Sequence, residues 1–159
     1  RGETFVTRKI TMFFAKKILG SKDILYLGNL NAKRDWGYAK EYCEVMWKML
    51  QLKKADDFVI ATNTHYSVRD FVEAAGKELN FEIIWKGKGT KEVGIDKKTN
   101  KTVIKIDPYY FRPNDVQSLL GDASKLYKAI KWKPKTSFKK LVKIMVDKEI
   151  ELIKNHKIY

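Results

Sequence analysis

The pattern that organises this chain is Asp57-Phe58-Val59-Ile60-Ala61-Thr62, followed by Ser67-Val68-Arg69-Asp70. The first stretch is a continuous apolar run of strand length, which is typical of a strand covered on both faces, as in a parallel sheet. The second resembles a capping box, with Ser67 as the N-cap and Asp70 three residues later, and it predicts the start of a helix. A buried strand that leads into a helix predicts an α/β fold.

The alternation of strands and helices extends from this pattern towards both ends of the chain. Apolar side chains recur at helical spacing in several stretches, and shorter apolar runs predict strands between them. Helices are predicted over residues 5–19, 38–52 and 67–79, and three further helices are predicted to begin at residues 113, 124 and 137. Strands are predicted over residues 24–30, 57–62, 81–85 and 101–107. Residues 101–107 have the pattern of an exposed strand, and Gly94 is predicted to lie in a turn. Since no linker divides the chain, we expect residues 1–159 to form one α/β unit.

The charge of the chain is strongly positive: 33 basic and 19 acidic residues give a formal net charge of +14. Only five of the basic residues are arginines, and the lysines are spread along the whole sequence. A nucleic-acid-binding protein more often clusters its basic groups and uses arginine for base and phosphate contacts. The charge therefore favours anionic ligands in general, and we expect no nucleic-acid partner.

Several functional classes are disfavoured by what the sequence lacks. A single cysteine, Cys43, permits no intramolecular disulfide, which favours a reducing compartment and a cytoplasmic protein. Its place in a helical pattern predicts a buried side chain. No apolar run approaches membrane-spanning length, so no membrane partner is expected. Neither His65 nor His156 has acidic or thiol neighbours at metal-binding spacing, so no metal site is expected.

Two arginines stand out as candidates for binding a phosphorylated ligand, because a guanidinium group can grip phosphate oxygens bidentately. Arg34 precedes Asp35 and Trp36, which could supply an orienting carboxylate and a rigid wall, although a purely structural Arg-Asp pair is the alternative. Arg112 precedes Pro113, which restricts the backbone at the arginine. No glycine-rich phosphate loop, metal cluster or nucleophile accompanies them. We therefore expect the substrate-binding part of an enzyme whose catalytic residues lie elsewhere.

Several ordered motifs at fitting intervals give the chain a recognisable family likeness. In chain order they are Arg1-Gly2 followed by residues 5–10, the block of residues 27–38, residues 59–62 followed by residues 67–71, the tripeptide Phe111-Arg112-Pro113, and the tripeptide Trp132-Lys133-Pro134. Across essentially all 159 residues the chain resembles the C-terminal half of the GDP-mannose 4,6-dehydratases, which belong to the extended short-chain dehydrogenase/reductase class. The resemblance implies the C-terminal part of a Rossmann-type fold, including the smaller nucleotide-sugar-binding subdomain.

The resemblance also implies an activity. Members of this family bind NADP on an N-terminal Rossmann sheet and GDP-mannose in the smaller C-terminal part. They oxidise the sugar at C4, eliminate water across C5 and C6, and return the hydride to C6. The catalytic Tyr-x-x-x-Lys pair, Thr or Ser, and Glu precede the Arg-Gly with which this chain starts. We therefore expect no catalytic residue in this chain, an inactive fragment on its own, and a dimer or tetramer for the full-length protein.

Site residues follow from the resemblance for the first part of the chain. Arg1 matches the second arginine of an Arg-Arg-Gly turn that contacts NADP. Arg8 and Lys9 lie in a segment placed against the nucleotide-sugar. Their charges oppose the dipole at the start of a helix, which hints at an anion site, although ordinary surface charges are the alternative. Leu27 belongs to a strand that runs beside the guanine, and a plain core strand is the competing interpretation.

The remaining implied site residues concern the phosphates and the ribose. Arg34 and Arg112 are expected to bind the pyrophosphate. Asp115 is a candidate for the ribose hydroxyls, because a carboxylate accepts two hydrogen bonds from a diol. The family more often has Glu there, and Asp115 could simply favour the N-terminus of the next helix.

Two rival functions remain open. A truncated protein would keep a nucleotide-sugar site without catalysis. A basic nucleic-acid-binding domain would need its lysines on one face and an affinity that falls steeply with salt.

If the chain is a substrate-binding part, it should expose apolar surface that its missing half would cover, and it should self-associate.

Overall fold

The computed structural model of the chain describes residues 2–111 and 116–155. These residues form five α-helices and seven β-strands. In chain order they are α1 Val6–Ile18, β1 Leu25–Leu27, β2 Lys33–Arg34, α2 Ala39–Met49, β3 Tyr66–Ser67, α3 Val68–Glu78, β4 Ile83–Lys86, β5 Val93–Asp96, β6 Lys101–Ile106, β7 Ser118–Leu119, α4 Ser124–Ile130 and α5 Phe138–Lys154. A short 3-10 helix, Pro108–Tyr110, follows β6.

The strands form two sheets. The larger has the order β1-β6-β5-β4, with β1 parallel to β6 and the other neighbours antiparallel. The smaller has the order β3-β2-β7, in which β2 is antiparallel to β3 and parallel to β7. Lys33 at the centre of the smaller sheet faces Ser67 on one side and Ser118 on the other. This small sheet fixes the position of the neighbouring Arg34.

The main core lies between the larger sheet and the helices α1, α3 and α5. Its completely buried side chains include Phe14 of α1, Phe71 of α3 and Ile104 of β6. The predicted capping box is confirmed, because the Asp70 N–H donates to Ser67 Oγ at 3.0 Å and the Ser67 N–H donates to the Asp70 carboxylate at 2.7 Å. Local capping and apolar periodicity together account for these helices.

The prediction of a strand over 57–62 is wrong. This segment lies outside the helices and strands, and Val59 is 55% exposed. A strand requires a neighbour for its backbone hydrogen bonds, and 57–62 pairs with none of the strands in 2–111 and 116–155. One end is nevertheless fixed, since the Thr62 N–H donates to Asp35 Oδ1 at 3.0 Å.

The helix predicted from Pro113 is also wrong over 118–119, which form β7. Pro113 itself lies outside the described residues. The neighbouring Lys33 N–H donates to the carbonyl of Gln117 at 2.8 Å, so strand pairing with β2 overrides the local helical pattern.

Two further predictions in the larger sheet are wrong. Gly94 lies in β5 and not in a turn, and β6 is not an exposed strand, because Val103, Ile104 and Ile106 are buried and only Lys101 and Lys105 are exposed. The register between β5 and β6 shifts at Gly94, opposite Ile104, so that the adjacent Val103 and Ile104 are both buried. An extra residue in one strand of a pair is a β-bulge, which breaks the simple alternation of faces.

Helix α2 exposes an apolar stripe. Its Val45 packs with Leu126 and Trp132 in a second, smaller cluster of buried apolar side chains. Its opposite face exposes Trp47 by 62% and Leu50 by 82%. Cys43, predicted to be buried, is exposed on the same face as these two residues. The apolar surface expected for a substrate-binding part is therefore present.

Candidate functional site

A cavity of about 240 Å³ lies where the first turn of α1 meets the end of β1 and the small sheet. We call it the Lys9–Arg34 cavity after the two cations that line it. The other lining residues are Thr4, Val6, Tyr26, Leu27, Gly28, Asn29, Ala32, Val68 and Tyr110. Three of the residues predicted to bind substrate, Lys9, Leu27 and Arg34, are thus brought together from three separate elements.

Close packing of two backbone segments shapes one wall of this cavity. Gly28 follows β1, and a Cβ at this position would overlap the carbonyl group of Tyr110, with the carbonyl carbon only 2.7 Å away. The Asp107 N–H donates to the carbonyl of Leu27 at 2.8 Å and holds the same two segments together. The glycine is therefore required for the close approach that carries Tyr110 to the cavity.

Lys9 projects from the first helical turn of α1 over the ring of Tyr110. Its ammonium nitrogen lies 3.9 Å from the ring centroid, which is a cation–π contact. The first turn of α1 contains no acidic residue. Because the N-terminus of a helix carries partial positive charge, the helix end and Lys9 favour an anion at the same place.

Arg34 is held by backbone carbonyl groups. Its Nη1 donates to the carbonyl of Val116 at 2.6 Å and to that of Lys33 at 2.8 Å. The carboxylate of Asp35 instead accepts hydrogen bonds from Thr62, including one from its hydroxyl at 2.6 Å. The pairing of β2 with β7 brings the Val116 carbonyl to the guanidinium, so tertiary structure supplies an orienting group in place of the Asp35 carboxylate.

Trp36, expected to wall the phosphate site, belongs to the aromatic core. Its ring meets Phe71 edge-on, with the centroids 5.1 Å apart, and stacks on Phe138 at 6.1 Å. Trp36 therefore anchors the segment after Arg34, and it does not line the Lys9–Arg34 cavity.

Arg8 is not brought to the Lys9–Arg34 cavity. Consecutive residues of a helix point about 100° apart, and Arg8 points towards α5, where its Nε donates to Glu149 Oε1 at 2.9 Å. Glu149 is buried, and among the described residues its Oε2 has no hydrogen-bond partner. Both residues line a second cavity of about 730 Å³. The pair ties the start of α1 to α5.

The remaining predicted site residues lie either in the main core or at positions that the structure does not describe. The side chain of Leu27 is buried in the main core, so only its backbone and part of its surface reach the cavity. Arg1, Arg112 and Asp115 lie outside the described residues.

Asn29 and Tyr110 are among the lining residues of this cavity that sequence reasoning missed. Asn29 Oδ1 accepts a hydrogen bond from the N–H of Asn31 at 2.9 Å. Such Asx turns have a sequence signal, because an Asn side chain readily accepts a hydrogen bond from the backbone two residues on. For Tyr110 no comparable signal exists, because its role depends on a contact with α1.

The chemistry of the cavity is that of an anion-binding site. Its described lining has two cationic side chains and no carboxylate. Within residues 2–111 and 116–155 no group of three or more His, Cys, Asp or Glu could hold a metal ion. Over the same residues, no helix is long and apolar enough to cross a membrane.

Comparison with known proteins places this chain in a family. Residues 1–145 match the family described as GDP-mannose 4,6 dehydratase. The chain is similar to the GDP-mannose 4,6 dehydratase of Dictyostelium discoideum, with 56% identity over 98% of the chain and 44% of the relative. It is 46% identical to the human enzyme over 98% of the chain and 42% of the relative. The chain thus spans less than half the length of these curated relatives.

Solved structures show the same fold. RMD from Pseudomonas aeruginosa, complexed with NADPH, matches with a TM-score of 0.75 and 14% identity over 95% of the chain and 44% of its own. The dTDP-glucose 4,6-dehydratase of Bacillus anthracis, in complex with NAD, matches with a TM-score of 0.67 and 15% identity over 92% of the chain and 39% of its own. The expected α/β fold is therefore confirmed, and it corresponds to less than half of each of these longer chains. The family match and the identities together establish that the chain belongs to the GDP-mannose 4,6 dehydratase family.

Proposed function

We propose that this chain is the GDP-mannose-binding, C-terminal portion of an NADP-dependent GDP-mannose 4,6-dehydratase, a lyase of nucleotide-sugar metabolism. The observation that carries the proposal is the convergence of Lys9 and Arg34 on one cavity without a carboxylate in its described lining. Paired cations suit the charge of a pyrophosphate, and the family match supports GDP-mannose as the nucleotide-sugar.

The size and the walls of the cavity indicate which part of the ligand it takes. A pocket for a whole small-molecule ligand usually measures about 300–1,000 Å³, whereas this one measures about 240 Å³. It therefore accommodates part of a nucleotide-sugar. Tyr26 and Tyr110 are the aromatic residues of its described lining, and Arg34 also lines an adjoining cavity of about 540 Å³ into which the rest of the ligand can extend.

In this proposal the chain binds and orients the substrate and supplies no catalytic group. Arg34, held by the Val116 carbonyl, and Lys9, resting on Tyr110, fix the diphosphate. NADP, when bound to the full-length enzyme, supplies the reversible oxidation at C4 of the hexose. The described residues contain no glycine-rich dinucleotide loop, and the cofactor contact implied for Arg1 stays a prediction. So do the pyrophosphate and ribose contacts of Arg112 and Asp115.

Calorimetric titration of the chain with GDP and GDP-mannose tests the binding function. We expect both to bind, and we expect Arg34→Met to weaken GDP binding by about 30-fold, or about 2 kcal/mol, as for loss of a charge-assisted phosphate contact. Lys139→Met, on an exposed face of α5, makes the same change in net charge and should leave the affinity unchanged. Equal losses in both variants would mean that only overall charge matters.

A DNA competitor separates this proposal from the nucleic-acid alternative. Duplex DNA at low salt should not displace GDP, because the cationic site is a small cavity and not an extended surface. Displacement that disappears steeply with added salt would instead support a basic nucleic-acid-binding domain.

A full-length chimera tests the enzyme assignment. Replacing the matched part of the Dictyostelium enzyme by this chain should give an NADP-dependent dehydratase active on GDP-mannose, whereas the 159-residue chain alone should be inactive. The same chimera would show by light scattering whether the full-length protein forms a dimer or tetramer. A folded, GDP-binding chimera without activity would support a non-catalytic nucleotide-sugar-binding fragment instead.

A further inference from the structure

We propose that Asn29 selects the guanine base by donating a hydrogen bond from its side-chain amide to guanine O6. This inference rests on the proposed GDP-mannose-binding function and adds a residue that fixes the identity of the base. Asn29 lies in the turn after β1, is half-buried, and lines the Lys9–Arg34 cavity.

The orientation of the Asn29 amide is determined by its neighbour. The backbone N–H of Asn31 donates to Asn29 Oδ1 at 2.9 Å. A backbone N–H can only donate, so the amide oxygen must face it and the NH₂ group must face the other way. Among the described residues Nδ2 has no hydrogen-bond partner, although the residue lines a cavity. The turn therefore presents a fixed donor.

A fixed donor distinguishes purine bases by their exocyclic group. Guanine carries an acceptor, O6, where adenine carries a donor, the N6 amino group. An amide NH₂ pairs with the first, and it meets the second donor to donor, which leaves both groups unpaired. A site that hydrogen-bonds one base in this way discriminates against the other by about tenfold or more.

The surroundings place the base in reach of Asn29. Lys9 and Arg34 bring the diphosphate to this cavity, and the rings of Tyr26 and Tyr110 are the aromatic surfaces in its lining. Gly28, next to Asn29, keeps the β1 turn pressed against the carbonyl of Tyr110. Since the cavity is too small for the whole nucleotide-sugar, an aromatic-lined space with one fixed amide donor suits the base.

The alternative is that Asn29 only stabilises its turn, and the substitution Asn29→Asp separates the two roles. Aspartate keeps a side-chain oxygen that accepts from the N–H of Asn31, so the turn survives. It has no donor for O6 and could accept from the amino group of adenine. The added negative charge weakens phosphate binding equally for all nucleotides, and it cancels in a ratio of affinities.

The experiment is calorimetric titration of the 159-residue chain with GDP, IDP and ADP. We expect the wild type to favour GDP over ADP, and we expect Asn29→Asp to lower this preference at least tenfold. IDP keeps O6 but lacks the 2-amino group, so it should lose affinity in parallel with GDP. Asn100→Asp, in the exposed turn between β5 and β6, is the matched control and should leave every ratio unchanged.

Two outcomes distinguish the failure of this inference from that of the proposed function. If the wild type binds no GDP, the binding function itself fails. If it binds GDP and Asn29→Asp leaves the GDP-to-ADP ratio unchanged, only the role of Asn29 is overturned. A direct readout needs no variant: GDP, but not ADP, should shift the NMR signals of the Asn29 side-chain NH₂ group, and the absence of that shift would also overturn the inference.

Discussion

Gly28→Ala should damage both the stability and the ligand site of this chain through one steric contact. The added Cβ would overlap the carbonyl group of Tyr110, with the carbonyl carbon at 2.7 Å and the Tyr110 Cβ at 3.2 Å. Carbon atoms in good contact lie about 3.5–4.0 Å apart, so Pro108–Tyr110 must retreat by about 1 Å. A backbone carbonyl cannot rotate away as a flexible side chain could.

The cost follows from what this movement disturbs. Retreat stretches the hydrogen bond from the Asp107 N–H to the Leu27 carbonyl, a contribution of about 1 kcal/mol. It also separates Tyr110 from Lys9, a cation–π contact of about 0.5–1 kcal/mol at a partly exposed site. The loss of about 2 kcal/mol lies within the range for overpacking. For a chain of this size it lowers the melting temperature by about 4–8 °C.

Chemical denaturation followed by tryptophan fluorescence measures the stability, and calorimetry measures GDP binding. We expect GDP affinity to fall about tenfold in Gly28→Ala, because Tyr110 and Lys9 no longer define the cavity wall. Gly2→Ala is the matched control, since its Cβ meets the nearest atom, on Phe5, at an ordinary 3.7 Å. A Gly28→Ala variant with wild-type stability and GDP affinity would refute the proposed packing of Tyr110 on the β1 turn.

Three other features of the structure are open to direct measurement. Arg8→Met should lower the free energy of unfolding by about 2–3 kcal/mol, because it leaves Glu149 buried and unpaired. Adding Glu149→Leu to the same chain should recover part of this loss, and a double-mutant cycle measured by urea unfolding would show it. The hydrogen bond from Lys125 lowers the pKa of Asp56, so Lys125→Met should raise that pKa in an NMR titration, and an unchanged titration would contradict the ion pair. The chain should self-associate through the exposed stripe of α2, and Leu50→Lys should raise the monomer fraction in analytical ultracentrifugation. A monomeric wild type would show that this stripe does not cause self-association.

The local signals of the sequence were sufficient for α1, α3 and α5. The capping box at Ser67, the N-cap at Ser137 and the 3.6-residue periodicity act within one or two turns, and α1, α3 and α5 form where they predict. The predictions that were wrong, a helix over 118–119 and a strand over 57–62, concern segments whose structure depends on partners distant in sequence. Ser118 and Leu119 pair with β2, and 57–62 lacks a described partner. Pairing is a property of two segments, so neither segment encodes it alone.

The sequence by itself determined the α/β class, the family resemblance and the cationic side chains of the candidate site. Only the tertiary structure decided which of these cations share a cavity. Lys9 and Arg8 are adjacent in sequence, yet the helical turn sends Lys9 to Tyr110 and Arg8 to Glu149. Arg34 reaches the cavity because β2 is held between β3 and β7. A binding site is a convergence of side chains from distant segments, and long-range packing fixes that convergence.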